Sequence, residues 1–179
     1  MTADPTTEER DALIESLARH RGFLLQTASG LTEDQARTAS TVSSLTIASL
    51  LKHVADTEEG WARFAVEGAS ALGGDVDDSA WPAADGDGGG WVDTRFVLSD
   101  DETLPVLRQR IVDVAAQTNH LLRTADLSST QALPKAPWFP PDVSWSVRRV
   151  ALHILGEVSQ HAGHADIIRE TIDGARTMG

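Results

Sequence analysis

The sequence predicts an all-α protein, a four-helix bundle. Four long stretches of the 179-residue chain place apolar residues three or four positions apart, the spacing that collects them on one face of a helix. No set of segments shows the alternation of apolar and polar residues that is typical of strands. With 41% hydrophobic and 23% charged residues the composition is that of a globular protein, and residues 1–179 are predicted to form one domain.

The first predicted helix covers residues 8–27, and a turn at Gly30 follows it. The second covers residues 44–66 and is expected to begin after an N-cap at Ser43 and to end at Gly68. The apolar residues on their inward faces are Leu13, Leu17 and Leu24 in the first helix, and Ile47, Leu50, Val54, Trp61 and Phe64 in the second.

The third predicted helix covers residues 101–124, and the acids among residues 99–102 suit the positive end of its dipole. The fourth covers residues 144–172 and stops before Gly174. Their inward faces are Leu104, Leu107, Ile111, Val114, Thr118 and Leu121 in the third helix, and Val147, Val150, Ile154, Val158, His161, Ala165, Ile168 and Ile172 in the fourth.

The connection between the second and third helices covers about residues 68–100 and is rich in Gly and Asp. It is longer than the usual helix–helix turn, and a connection of this length allows the two helices to run parallel. Within it, residues 85–88 resemble the start of an EF-hand calcium loop. The twelfth loop position, where a bidentate Glu is required, falls on Phe96, so we predict no calcium site.

The charge balance excludes several classes of partner. The chain has 27 Asp and Glu against 15 Lys and Arg, a net charge of −12, which disfavours nucleic acids and anionic membranes. No apolar run approaches the ~20 residues of a membrane span, and residues 1–9 have no features of a signal peptide. The sequence therefore predicts a cytoplasmic protein.

The chain has no cysteine. This excludes disulfides, zinc sites with Cys ligands and a thiol nucleophile supplied by the protein. Any metal must be held by His and carboxylate side chains, and any thiol chemistry must use a thiol that a substrate brings.

A polar strip on the fourth predicted helix contains His153, Glu157, His161 and His164, all within about 40° of Glu157 around the helix. Glu157 and His161 are one turn apart and can converge on one ion, whereas about 12 Å of axial rise separates His153 from His161. The natural third ligand is His53, on the inward side of the second helix. A His/His/Glu site with open positions suits zinc or another divalent first-row metal.

Simpler interpretations remain for these histidines. A lone histidine on an apolar face is often a hydrogen-bonded core residue, which is an alternative for His153, and we expect His20 and His120 to be partly exposed with no special role. A further alternative is a bundle that binds no metal, in which the strip of histidines has only a structural role. An interior Glu157 without a cation would be costly to ionise, which favours the metal site.

Two motifs carry a resemblance to a known family. The segment LHILGEVSQHAGHADIIRE at residues 152–170 resembles the last helix of the DinB-like superfamily. The closest likeness is to its actinobacterial branch, which includes mycothiol S-transferases and the N-terminal domain of mycothiol-dependent maleylpyruvate isomerase. Residues 50–61 resemble the first metal motif of the same family, and residues 30–37 its link between the first two helices. The resemblance covers nearly the whole chain.

The resemblance implies an up-down-down-up bundle that holds a divalent metal, with zinc expected first and nickel or another first-row metal as alternatives. It assigns His53, Glu157 and His161 as the ligands. Many bacillithiol-type relatives have His at the position of Glu157, so in this respect the chain resembles the mycothiol branch. His164 is expected either to contact one of the metal-binding side chains from the side away from the metal or to face the substrate. Asp166 and Arg169 also belong to the family motif, and we expect them to be structural.

The implied function is that of a metal-dependent thiol S-transferase. Mycothiol, held as a metal-bound thiolate, would attack a small electrophile in detoxification or stress response, and a homodimer is expected at family level. An isomerase is disfavoured because the family's isomerase has a second, C-terminal domain, whereas this chain stops at Gly179. The alternative is a non-enzymatic metal-binding stress-response protein. The loop at 68–100 and the link at 137–139 are either covers over the metal end or plain linkers.

Overall fold

The computed structural model describes residues 5–75 and 94–177 of the chain. Four long helices form the bundle within these residues, and a one-turn helix, two short strands and two 3₁₀ turns join them. The helices are α1 (Pro5–Thr27), α2 (Glu33–Ala36), α3 (Ile47–Glu67), α4 (Leu104–Thr124) and α5 (Val147–Asp173); the strands are β1 (Thr130–Ala132) and β2 (Ser144–Ser146); the 3₁₀ turns are Gly68–Leu72 and Thr94–Phe96.

Helices α1 and α5 lie side by side and run parallel. Near their first turns, Arg148 of α5 forms an ion pair with Glu9 of α1. Near their last turns, Arg169 Nη1 of α5 donates to the carbonyl oxygen of Thr27 at 2.8 Å. Because both contacts join corresponding ends, the two helices point the same way.

Helix α3 runs opposite to α5. His53, in the second turn of α3, packs against His161 in the second half of α5, with the ring centroids 4.7 Å apart. Trp61, further along α3, packs against His153 near the start of α5 at 4.6 Å. The order of contacts is reversed along the two helices, so they are antiparallel.

Helix α4 runs parallel to α3. Arg110 in its first half donates to Glu59 of α3 at 2.8 Å, and a groove further along is lined by Arg63 and Glu67 of α3 and by Leu121 of α4. The bundle is therefore up-down-down-up, and the parallel pair confirms a long crossover between the second and third long helices. The EF-hand-like residues 85–88 within this crossover lie outside the described residues.

The core contains the apolar faces that the helical spacing predicts. Leu13, Leu121 and Ile172 are half-buried, and Leu122 rather than Leu121 is fully inside. The largest fully buried apolar side chains are Leu17 and Leu24 of α1, Ile47, Leu50, Leu51 and Phe64 of α3, Leu107, Ile111 and Leu122 of α4, Leu127, and Ile154 of α5.

None of the helices in residues 5–75 and 94–177 combines the length and the apolar content that a membrane-spanning helix needs.

The predicted start of the second long helix is wrong by three residues. Thr46, not Ser43, is the N-cap of α3: its hydroxyl accepts from Ser49 N, and the Ser49 hydroxyl accepts from Thr46 N, which completes a capping box. The Ser43 hydroxyl instead accepts from Leu45 N in the turn before the helix, because a short polar side chain can bond to nearby backbone outside a helix.

The other long helices also differ from prediction at their starts. Helix α1 begins at Pro5, three residues before the predicted start, and α4 begins at Leu104, because residues 99–102 form a turn in which Ser99 N donates to the Glu102 carboxylate. Residues Ser144–Ser146 are not helical. They form β2, which pairs antiparallel with β1, and Ser146 caps α5. Strands of three residues are too short to show alternation, so the sequence pattern did not predict them.

Candidate metal centre

Three side chains from two antiparallel helices converge at one place in the bundle. His53 comes from α3, and Glu157 and His161 come from consecutive turns of α5. One ligand atom from each residue can be chosen so that all three atoms lie within 4.8 Å of one another. The two helices therefore bring together the three residues that the sequence analysis selected, and this group could hold a metal ion.

The distances suit a small divalent cation. His161 Nε2 lies 3.5 Å from Glu157 Oε2, and His53 Nε2 lies 3.9 Å from the same oxygen. Nitrogen and oxygen ligands of tetrahedral zinc lie about 2.0–2.2 Å from the ion, which places neighbouring ligand atoms about 3.4 Å apart. Both measured distances are close to that separation, so the donor set and its spacing fit the metal.

The electrostatics favour an ionised Glu157. The hydrogen bond from His161 lowers the pKa of this carboxyl, and the nearby His153, His161 and His53 lower it further, against the opposing effect of burial. The side chain of Glu157 is 28% exposed, whereas those of His53 and His161 are 7% and 10% exposed. The site thus combines an anionic oxygen that solvent can reach with two buried imidazoles.

Phe96 and Thr57 surround His53. The Phe96 ring stacks on the His53 ring, with centroids 4.3 Å apart and planes 29° from parallel, and lies 6.2 Å from His161. Thr57, one turn after His53, places its hydroxyl 3.5 Å from His53 Nε2. Phe96 ends the 3₁₀ turn at Thr94–Phe96, so the C-terminal end of the crossover contacts the site. Phe96 is not predictable as a site residue from the sequence, because one aromatic residue in a connection has no periodic signal.

His164 lies behind His161. The Nδ1 atoms of the two rings are 3.4 Å apart, and the ring centroids are 5.4 Å apart. Since His161 directs Nε2 towards Glu157, its Nδ1 is the nitrogen available to His164. His164 is therefore placed against His161, on the side of the ring away from Glu157, and its role beside the candidate ligand stays a prediction.

Comparison with known proteins identifies the family. A family model described as mycothiol S-transferase matches residues 12–174, which is most of the chain. The chain belongs to the mycothiol S-transferase family. A conserved protein from Enterococcus faecalis has the same fold, with a TM-score of 0.62 and 15% sequence identity over 97% of this chain and 100% of that one. None of the curated proteins matches the chain.

In this member of the family, an aromatic cluster adjoins the candidate metal centre. His153 contacts Trp61 of α3 at 4.6 Å and Trp145 of β2 at 5.1 Å between ring centroids, and its Nε2 lies 3.9 Å from Glu157 Oε1. Burial lowers the pKa of His153, and the nearby Arg149 adds to this effect, whereas Glu157 opposes it. His153 is thus a half-buried neighbour of the site and lies outside the group of three that can share an ion.

The link at residues 137–139 reaches the same cluster. Phe139 packs against Trp61 and Trp145, with centroid distances of 6.1 and 6.3 Å, while Trp138 is 51% exposed. This aromatic pair therefore anchors the link beside His153.

The remaining residues singled out in the sequence lie elsewhere. His20 is half-buried against Phe23, and His120 is exposed on α4. Arg169 Nη1 also donates to Ser29 O at 2.7 Å, and Asp166 accepts from the backbone of Thr177, also at 2.7 Å. These last two contacts fix backbone at one end of the bundle.

Proposed function

We propose that this chain is a divalent-metal-dependent thiol S-transferase, with mycothiol as the thiol and a small electrophile as the acceptor. The observation that carries the proposal is the group of His53, Glu157 and His161, whose ligand atoms lie within 4.8 Å of one another. Membership of the mycothiol S-transferase family supports the thiol S-transferase class. Zinc is the first candidate metal, and nickel or another first-row ion is an alternative, because His and carboxylate ligands accept several of these ions.

When bound, a divalent metal lowers the pKa of a coordinating thiol, so that the thiol is a nucleophilic thiolate at neutral pH. His53 and His161 would bind the metal as neutral imidazoles, and the ionised Glu157 would supply one negative charge. His164 orients the His161 ring, and Phe96 shields one face of His53 from water. In the transfer, a carbon–sulfur bond forms, the leaving group departs with its bonding electron pair, and the thiol proton passes to solvent.

The alternative is a metal-binding stress-response protein without enzymatic activity. It shares the metal site and differs only in the fate of the thiol, so thiol consumption separates the two. A cytoplasmic location and a homodimer stay predictions.

The metal assignment is tested by elemental analysis of purified protein. We expect about one divalent ion per chain in the wild type and its loss in His53→Ala and in His161→Ala. His120→Ala is the matched control, because it removes an exposed histidine far from the site. Full metal content in both ligand variants would refute the assignment.

The enzymatic assignment is tested with a panel of thiols. Mycothiol, bacillithiol, glutathione and coenzyme A are each mixed with the protein and a bimane or chloro-dinitrobenzene electrophile, and thiol consumption is followed. We expect mycothiol to react fastest, and the reaction to require both the metal and an intact Glu157. If no thiol reacts above the uncatalysed rate, the protein is not a transferase for these electrophiles, and the binding role gains support.

A further inference from the structure

The polar strip of α5 extends one turn beyond the metal centre towards the start of the helix. Arg149, His153, Glu157 and His161 follow one another at intervals of four residues, each step about 40° further around the helix. Exposure falls along the strip: Arg149 is exposed, the His153 and Glu157 side chains are 31% and 28% exposed, and that of His161 is 10% exposed. The exposed end of the strip therefore lies near the start of α5, and its buried end lies at the proposed metal.

Arg149 is held at the outer end of this strip by an aromatic ring. Its guanidinium carbon lies 4.8 Å from the centroid of the Trp145 ring. Trp145 is itself stacked on Trp61, with centroids 4.8 Å apart and planes only 16° from parallel. A guanidinium that rests on an aromatic face keeps its N–H donors, which lie in its plane, available for other partners.

The charge of Arg149 is not neutralised by any carboxylate of the described residues. The chain carries 27 acidic side chains, yet Arg149 forms no ion pair with any carboxylate among residues 5–75 and 94–177. Its neighbour Arg148 differs, since it is paired with Glu9. Arg149 thus offers an aromatic-backed cation, unpaired among the described residues, about two turns along α5 from Glu157.

The surface between Arg149 and Glu157 is aromatic. His153 lies between them on the helix, one turn from each, and the rings of Trp145 and Trp61 pack against it. Phe139 supports the two tryptophans from the link before β2. Flat apolar groups pack well on such rings, whereas polar groups do not. About 12 Å of helix axis separates Arg149 from Glu157, enough for one substituted ring together with the sulfur that attacks it.

We infer that the electrophile accepted by this site is a carboxylate-bearing aromatic or planar apolar molecule, with its carboxylate on Arg149 and its body against His153 and the edge of Trp145. The inference rests on the proposed function, which it extends by naming the substrate class. Arg149 is then a specificity-determining residue. For an aryl chloride of this class, the sulfur bonds to the ring carbon, the carbon–chlorine bond breaks, chloride leaves with the electron pair, and the thiol proton goes to solvent.

Binding is measured with two probes that cannot react, dinitrobenzoate and its neutral analogue dinitrobenzamide, by titration calorimetry. We expect the wild type to bind the benzoate about tenfold more tightly than the amide, because a guanidinium and a carboxylate form paired, charge-assisted hydrogen bonds. Arg149→Met should remove this preference, and Arg149→Lys should retain part of it. Arg123→Met is the matched control, since it removes an exposed arginine in the last turn of α4 and changes the net charge equally.

Several results would overturn the inference: equal affinity for the two probes in the wild type, binding of neither probe, a preference that survives in Arg149→Met, or a preference that is lost in Arg123→Met as well. Circular dichroism of each variant checks that the bundle is folded. The proposed function is tested in parallel by mycothiol consumption with chloro-dinitrobenzene and with chloro-dinitrobenzoate. Consumption without a carboxylate preference in binding refutes this inference alone, and a carboxylate preference without consumption of either electrophile refutes the transferase.

Discussion

His161 and His164 face each other through the same ring atom: their Nδ1 nitrogens lie 3.4 Å apart. One of these atoms must donate and the other accept. If His161 binds the metal through Nε2, its Nδ1 carries the proton and donates it to His164, whose own proton is then on Nε2. His164 thereby fixes both the tautomer and the orientation of the proposed ligand, as carboxylates and carbonyl groups do for ligating histidines in other metal sites.

Replacing His164 should therefore weaken metal binding without removing it. We expect His164→Ala to reduce metal affinity about 10- to 100-fold, the usual effect of losing a partner behind a ligand, whereas His161→Ala should abolish binding. The affinity is measured by competition with a chelator of known strength. His120→Ala is the control, and an unchanged affinity in His164→Ala would show that the His161–His164 contact does not support the ligand.

The capping box at the start of α3 yields a second prediction. Thr46→Ala removes the hydroxyl that accepts from Ser49 N and should lower the free energy of unfolding by about 1 kcal/mol. Ser43→Ala changes an exposed residue of the preceding turn and should change it by less than about 0.5 kcal/mol. Both are measured by urea denaturation, and a larger effect at Ser43 would restore it as the cap.

The sequence predicts the four long helices and the three proposed ligands because both have a repeating signal. Apolar residues recur every three or four positions, and Glu157 and His161 are one turn apart on the same face. Phe96 has no such signal, since its place on His53 depends on where a long connection returns to the bundle. Trp145 belongs to a three-residue strand that exists only because β1 lies beside it.

The buried ion pair of Arg21 and Glu58 has a signal in the sequence. Arg21 interrupts the inward face of α1 between Leu17 and Leu24, and Glu58 interrupts that of α3 between Val54 and Trp61. Opposite charges at inward positions of two helices suggest a buried ion pair. Periodicity along a single helix does not show which helices pack against each other. The sequence pattern alone therefore does not identify Arg21 and Glu58 as partners.

Glu33 connects the short helix α2 to the start of α4, which gives a pH-dependent prediction. Its Oε2 accepts from Leu104 N at 2.8 Å, and its Oε1 accepts from Arg37 Nε at 2.8 Å. The hydrogen bond from Leu104 N lowers the pKa of Glu33 most, and the hydrogen bond from Arg37 lowers it further below its ordinary value of 4.5. The stabilisation that ionised Glu33 contributes is therefore fully present above its pKa in the unfolded chain. It is lost as the pH falls through its lower pKa in the folded protein.

Glu33→Gln should accordingly lower the free energy of unfolding at pH 7 by no more than about 0.5 kcal/mol, because solvent screens a side chain that is 38% exposed. The difference from wild type should disappear in acid, where both side chains are neutral. Urea denaturation across the acidic range measures it. Asp34→Asn removes the neighbouring acid, whose side chain forms no hydrogen bond among the described residues, and serves as the control. A difference that persists at the acidic end would exclude the ionised carboxylate as its source.

The buried pair of Arg21 and Glu58 should be the most sensitive of these contacts. Arg21 Nε and Nη2 donate to Glu58 Oε2 and Oε1 at 3.0 and 2.5 Å, with side-chain exposures of 4% and 1%. Arg21 Nη1 also donates to Asn119 Oδ1 at 3.2 Å, which links α1, α3 and α4. Removing one partner leaves the other charge buried without compensation, whereas removing both leaves a site that apolar side chains can fill.

Glu58→Gln should therefore lower the free energy of unfolding by about 3–5 kcal/mol, while the double variant Arg21→Met with Glu58→Leu should recover most of that loss. The chain supplies its own control in Arg63 and Glu67, which pair with the same two-bond geometry at 3.1 and 2.7 Å on the exposed surface of α3. Because solvent screens that pair, Glu67→Gln should lower the free energy of unfolding far less than Glu58→Gln does. Urea denaturation of the four proteins measures these differences. Equal losses at Glu58 and Glu67 would mean that burial does not govern the strength of this ion pair.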